Sequence, residues 1–339
     1  MNKLSSEKGY QQLLTQIDEA YQQGQRQANR AVNAQMVITY WTIGQYIVEF
    51  EQEGEAKAEY GQNLMDRLSR DLQQKYGKGF SRSNLSYMRR MYLYFPIRET
   101  VSHELSWSHY FELVKIKDEL ERSFYFQQTL KEKWSVRELQ RQKRTALFQR
   151  LAISKDKEEV LRLSQQGQIL EKPEDILRDP YVFEFLGLPE RVIPHEAKLE
   201  QLQIDPLQQF LLELGKGFAF LGRQYRISMD NRHFYVDLVF YHRILKCFVL
   251  IDLKTQEVGH EDVGQMNLYL NYIEQEENQP DDNPPIGIIL GTGKNEVSVS
   301  YALAGLDNQV FVSQYQLYLP DPEELRRLVA MDLERYGEE

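Results

Sequence analysis

Apolar residues recur every three or four positions through the first 150 residues, whereas much of the remainder alternates at every second position. From about Tyr10 to Glu53 the period is helical, with Trp41, Ile43, Tyr46, Ile47 and Phe50 expected in the core. A second helix is expected from about Ala56 to Lys75, with Leu64, Leu68 and Leu72 four residues apart. Gly77 and Gly79 end it, and Ser81 opens a third helix, SRSNLSYMRRMYLYF, closed by Pro96. Two helices joined by a short Gly-containing turn are helix-turn-helix-like. On the third helix Leu85, Met88, Tyr92 and Phe95 form one stripe. Arg82, Ser86, Arg89 and Arg90 lie largely away from it. Such a basic face suits phosphates or base edges, and equally suits the solvated side of a bundle. Two further helices follow in WSHYFELVKIKDELERSFYFQQTL and WSVRELQRQKRTALFQRL, the second opened by the capping box Ser135-x-x-Glu138. Arg137, Arg141, Lys143, Arg144 and Arg150 on that last helix admit the same two readings.

Residues from about Ala152 to His195 read as a transition containing a short PYVFEFLGL helix. The expected organisation is a helical DNA- or partner-binding domain at 1–152, a linker at 153–195 and a second domain at 196–339. In the second domain Asp205 and Pro206 start a helix carrying LQQFLLELG to Gly215. Strands are expected at about 218–228, 234–241 and 245–254, then a helix at about 260–276 and a buried strand in PPIGIILG. VSVSYAL and QVFVSQYQL add strand and helix, and DPEELRRLVAMDLERYG reads as a terminal helix. The whole is α+β: an all-α domain followed by an α/β domain around a mixed sheet.

Composition narrows the function classes. There is no apolar run of about 18 residues, so no transmembrane helix is expected. The start, MNKLSSEKGYQQLL, has no signal-peptide core, and the expected location is cytoplasmic. Cys247, the single cysteine, excludes an internal disulfide and a thiolate zinc site. The net charge of −10 argues against indiscriminate nucleic-acid binding, but it is unevenly spread. Residues 1–150 hold 23 Lys+Arg against 18 Asp+Glu, and residues 151–339 hold 18 against 33. The six histidines form no HExxH pattern, and GTGK at 291–294 lacks a phosphate-loop frame and reads as a turn.

The chemistry sits in FYVDLVFYHRILKCFVLIDLK, Phe234 to Lys254. This apolar hairpin carries Asp237, Asp252 and Lys254, and ionised groups in such strands need partners or a metal. Period-2 alternation puts Asp237 with Tyr235, Val239 and Tyr241, and puts Asp252 with Leu250 and Lys254. The two carboxylates are therefore expected to meet across the hairpin, with Lys254 one step further along. Glu213, one turn before Gly215, is placed to reach the same end of the sheet.

Asp237 followed by Asp252-x-Lys254, with Gln265-x-x-x-Tyr269 on the next helix, resembles the PD-(D/E)xK nuclease superfamily, a restriction endonuclease-like fold. The words ELGKGFAFLGRQ, FYVDLVFYH, DLK, GQMNLYLNY and PPIGIILG, with YWTIGQYI, GFSRSNLSYMR, SWSHY and WSVRELQRQ upstream, are similar to the bacterial YhcG-type family over nearly the whole chain. The resemblance implies a Mg²⁺-dependent deoxyribonuclease, with Mn²⁺ able to substitute. Asp237, Asp252, Glu213 and the backbone carbonyl of Leu253 would hold the metal, and Lys254 would orient the attacking water, its pKa lowered by burial. Gln265 and Tyr269 would hold Lys254 or the phosphate, and Arg223 and Gln224 would support the site residues from behind or contact phosphate. Pro206 is expected to shorten or kink the helix of Glu213. The rival expectations are a DNA-binding or protein-interaction module that uses the nuclease fold without cleavage, alongside restriction or mobile-element machinery, and an RNA-directed nuclease. A homodimer or partner protein is compatible with either.

Overall fold

The computed structural model describes residues 3–53, 58–97, 102, 104–153, 155–182, 210–211, 213–229, 232–294, 296–306, 309–316 and 325–327. They fall into two units, Met1–Gln140 and Arg141–Glu339. Several expectations lie outside the described residues: Asp205 and Pro206, His103 and His195, and most of the terminal helix.

In the first unit α1 runs over Lys3–Glu53, α2 over Ala58–Tyr76, α3 over Arg82–Tyr94, α4 over Trp107–Leu113 and α5 over Glu119–Glu132. α1 and α3 approach closely because Gly44 has no side chain. A Cβ there would sit 2.0 Å from the Met88 carbonyl oxygen. The buried stripe of α1 is Val37, Trp41, Ile47 and Val48, and on α3 it is Leu85, Met88 and Met91. Trp41 locks the pair by donating its indole N–H to the Phe95 carbonyl, 2.6 Å away. Tyr46 and Phe50, expected in the core, are exposed, because the stripe facing α3 takes the positions beside them. Between α2 and α3 a 3₁₀ turn, Lys78–Phe80, follows Gly77 at φ 91°, and the Ser81 hydroxyl caps α3 through the Asn84 N–H. A left-handed backbone at that turn favours glycine.

The second unit opens with the end of α6 (Val136–Arg144), then α7 (Leu147–Ala152) and α8 (Lys157–Gln166). Its strands are β1 (Tyr181–Val182), β2 (Phe218–Met229), β3 (Arg232–His242), β4 (Cys247–Leu253), β5 (Glu257–Val258), β6 (Ile286–Gly291), β7 (Gly293–Lys294) and β8 (Gln309–Gln316). The helices among them are α9 (His260–Glu276) and α10 (Glu296–Leu303). Tyr181–Val182, expected inside a short helix, is instead a strand paired parallel with β8. The six-stranded sheet has the order β1-β8-β6-β4-β3-β2, and β5 and β7 form a separate pair. The β2–β3–β4 meander is antiparallel, whereas β4, β6 and β8 are parallel neighbours.

One face of the sheet packs Leu238, Phe240, Val249 and Ile251 with Phe210 and Leu214 from the helical turn before Gly215. The other packs Val239, Leu250 and Ile289 with Val263, Met266, Tyr269, Leu270 and Ile273 of α9. Gly287 lets α9 settle on β6, since a Cβ there would lie 2.5 Å from Met266 Cγ. Cys247 is buried on β4, and burial pushes its thiol up to about 12, so it is inert at neutral pH.

Candidate active site

Asp252 lies at the end of β4 and is 5% exposed. Its neighbour along the pleat, Lys254, donates its backbone N–H to the Leu290 carbonyl at 2.7 Å, so β6 fixes the main chain here. The Lys254 ammonium lies 2.8 Å from Asp252 Oδ2 and 3.3 Å from Asp262 Oδ1. It is also 3.4 Å from Gln265 Oε1. Asp262 stands in the first turn of α9, where its other oxygen accepts the Gly259 N–H at 2.9 Å. Gln265 in turn donates to the Tyr269 hydroxyl one helical turn on. Lys254 is thereby gripped between a strand end and a helix start.

Asp237 reaches the same strand end from β3. Its Oδ2 accepts the Leu253 N–H at 2.7 Å, and its Oδ1 accepts the Gln224 side-chain amide at 3.0 Å. Gln224 has φ 48°, a left-handed value rare for a non-glycine strand residue. Such strain costs about 1–3 kcal/mol and persists where the surroundings enforce it. A register shift between Phe220 and Gly222 precedes it on β2.

Beyond Gln224 and Asp237 the β2–β3 hairpin extends as a ribbon. Arg226 stands opposite Tyr235 and Ser228 opposite His233, and all four are exposed. An Arg226 guanidinium nitrogen lies 3.0 Å and 3.1 Å from the two His233 ring nitrogens, and the Ser228 hydroxyl is 3.1 Å from His233 Nδ1. Arg223, also exposed, pairs in register with Leu238. The other cross-strand row, Tyr225, Ile227 and Phe234, packs towards the α9 layer.

The electrostatics reverse one expectation. Burial by itself would lower the Lys254 pKa. The Asp252 carboxylate, by charge and hydrogen bond, and then Asp262 outweigh it, and the net shift is upward. Tyr269 is raised too, first by burial and then by the Asp252 charge. Lys254 is therefore a fixed cation at neutral pH.

Glu213 does not join this group, and its expected place as a metal ligand is corrected. It packs on the opposite face of the sheet, 1% exposed, in an ion pair with Arg150. Arg178 Nη1 lies 3.4 Å from its Oε2, and Val182 donates its N–H to Oε1 at 3.0 Å. Buried carboxylates take the nearest cations, and here these are guanidiniums. Arg150, offered above for a phosphate-facing surface, is consequently in the core. On α3, Arg89 Nε is 2.7 Å from Glu51, Arg82 Nε is 3.3 Å from Asp66, and Arg90 lies over the Tyr87 ring at 5.6 Å. Asp262 was missed by sequence reasoning, although its place three residues after Gly259 at a helix start is a visible capping signal.

The donor set fits a hard divalent cation. Four ionisable side chains, Asp237, Asp252, Asp262 and Lys254, bring three negative charges and one positive. Among the described residues no three His, Cys, Asp or Glu side chains gather into a preformed cage. Mg²⁺ needs none, since it keeps several waters and binds through one or two carboxylates.

A mixed sheet carrying Asp237 in the middle of β3, beside Asp252 and Lys254 at the end of β4, has the pattern of a PD-(D/E)xK nuclease. Residues 174–330 match the family described as YhcG PDDEXK nuclease domain, and residues 16–150 match the DUF1016 N-terminal domain. The Escherichia coli (strain K12) protein named "Putative nuclease YhcG" is 41% identical over 349 residues, covering 94% of this chain and 92% of that one. The chain belongs to the YhcG family. A repair endonuclease from Pyrococcus abyssi aligns with 38% of this chain and 50% of its own at 18% identity, with a TM-score of 0.28, too loose to bear on fold or site. No described helix is long and apolar enough to cross a membrane.

Proposed function

We propose that the chain is a divalent-metal-dependent deoxyribonuclease, Mg²⁺ being the natural ion and Mn²⁺ a substitute. The observation that carries the reading is the Lys254 ammonium held by Asp252, Asp262 and Gln265, beside an Asp237 anchored to the Leu253 N–H. Asp237 and Asp252 would hold the ion, with the Leu253 carbonyl as a third oxygen donor. When bound, the ion would lower the pKa of a water and offset charge on the phosphorane.

The chain's own groups do the rest. Lys254 stays protonated, so it serves as a donor to the attacking water or a non-bridging phosphate oxygen and not as a base. Gln265 keeps that ammonium aimed, and Tyr269 keeps the Gln265 amide turned. Gln224 holds Asp237 from the side away from Leu253. Arg223, Arg226, His233 and Tyr235 on the exposed ribbon give a nucleic-acid strand cationic and aromatic contacts leading to Asp237. In the helical unit the nucleic-acid reading of Arg82, Arg89 and Arg90 rests on Arg90, because the other two already meet carboxylates.

The test is a cleavage panel of linear, nicked, branched and single-stranded DNA, and of RNA, with Mg²⁺, Mn²⁺ or chelator. Cleavage of a DNA form that needs metal, lost in Asp237→Asn, Asp252→Asn and Lys254→Met with DNA binding retained, is expected. Cleavage of RNA alone would reassign the substrate. Binding without cleavage in any metal would make the chain a docking module.

A further inference from the structure

The amino-terminal part of α1 displays an apolar row that no described part of the chain covers. Tyr10, Leu13, Leu14, Ile17 and Tyr21 are 57%, 52%, 42%, 56% and 65% exposed. Every described side chain from Tyr10 to Asn33 is exposed. The same helix buries Val37, Trp41, Ile47 and Val48 further along, so only its second apolar stretch is packed. Contiguous apolar exposure on a helix this long marks an interaction surface.

The spacing says what kind. Tyr10, Leu14, Ile17, Tyr21, Gly24 and Ala28 follow at alternating steps of four and three, and Ala31 continues the series. That is the 3.5-residue period of a coiled-coil seam. Tyr10 to Ala31 makes about three heptads, roughly 33 Å of helix. A lone helix in water holds itself by side-chain charge pairs or not at all. Between Tyr10 and Met36 the charged residues are Asp18, Glu19, Arg26 and Arg30, too few for such a lattice.

Charge selects the occupant. A membrane-surface helix is rich in Lys and Arg on its polar face. From Tyr10 to Met36 glutamine is the commonest polar residue, and the sequence holds only two cations, Arg26 and Arg30. The positions flanking the seam are Gln11, Leu13, Asp18, Ala20, Gln25 and Gln27, of which Asp18 alone is ionised. No charge code calls for an oppositely charged partner. In two parallel copies in register Asp18 would face Leu13, so no like charges meet.

We propose that this seam pairs with the same seam of a second copy of the chain, forming a two-helix coiled coil. The proposal is independent of the nuclease reading, since it uses no residue of the site. The assembly carries two copies of that site.

The experiment is sedimentation velocity on the full chain at micromolar concentration. Wild type is expected to be dimeric, and Leu14→Glu with Ile17→Glu to weaken association at least tenfold while the thermal transition of the remainder persists. A gain-of-function arm uses Gly24, where an added Cβ would meet nothing within 4 Å. Gly24→Leu should tighten the dimer, whereas Gln23→Leu, off the seam, should not. A monomeric wild type, a dimer unmoved by the double substitution, or equal effects of the two leucines would each overturn the proposal.

Discussion

Arg150 on α7 and Glu213, 63 residues later, form an ion pair with both side chains out of water, 0% and 1% exposed. Arg178 joins them, and burial pulls its guanidinium down to about 10 although Glu213 opposes the shift. The pair ties the segment after Gln140 to the nuclease sheet. That segment belongs to the second unit, Arg141–Glu339.

Removing one partner of such a pair strands the other charge, at a cost of about 3–5 kcal/mol. Glu213→Gln should therefore lower the urea midpoint strongly. Asp252→Asn leaves Lys254 paired with Asp262, so it should lower the midpoint less and abolish metal-dependent cleavage. Equal midpoints for the two variants would return Glu213 to the active site.

Lys254→Met should cut the rate of cleavage by about 10²–10³-fold, the scale of losing one oriented charge at a developing anion. Lys254→Arg should fail nearly as badly, because a planar fork does not fit between Asp252 and Asp262. Substantial activity in the arginine variant would show that charge alone suffices. Single-turnover rates decide between them.

Gly44→Ala should separate α1 from α3, since the new methyl would sit 2.0 Å from the Met88 carbonyl. Overpacking of this kind costs about 1–3 kcal/mol. The first unit's thermal transition, followed by Trp41 fluorescence, should fall. An unchanged midpoint would mean that the helices yield without cost.

His242 is buried, with its Nε2 3.1 Å from the Lys216 carbonyl and its Nδ1 accepting the Leu245 N–H at 3.1 Å. Burial lowers its pKa, so the folded protein holds a neutral ring. Below the ordinary histidine value of about 6.5 the unfolded chain binds a proton that the folded chain refuses. The contribution is present above that pH and is lost as pH falls through the folded value. His109, also lowered by burial, has the same sign. Stability measured between pH 7 and 5 should fall less steeply in His242→Asn than in wild type.

Arg90→Glu should weaken DNA binding and reduce its salt dependence, whereas Arg89→Ala should mainly remove the half-exposed contact with Glu51. Unchanged affinity in Arg90→Glu would make this face of α3 a solvated one.

Period-2 alternation was enough to bring Asp237, Asp252 and Lys254 towards one strand end. Period 3.6 was enough to set Gln265 beside Tyr269 on a helix now seen over His260–Glu276. Those relations lie between neighbours along the chain, where backbone geometry leaves few choices. The same periodicity could not say which apolar stripe of α1 would be covered, so Tyr46 and Phe50 were assigned inward and stand in solvent.

Which charge meets which was decided by tertiary structure alone. Glu213 has acidic chemistry suited to either a metal or a guanidinium, and packing on the far face of the sheet gave it Arg150 and Arg178. Lys254 has a pKa that burial lowers and carboxylates raise, and the arrival of Asp262 from α9 settled the sign. Side-chain chemistry and local spacing are properties of the sequence. Partners brought from tens of residues away, and the dielectric in which they meet, exist only once the sheet and helices have packed.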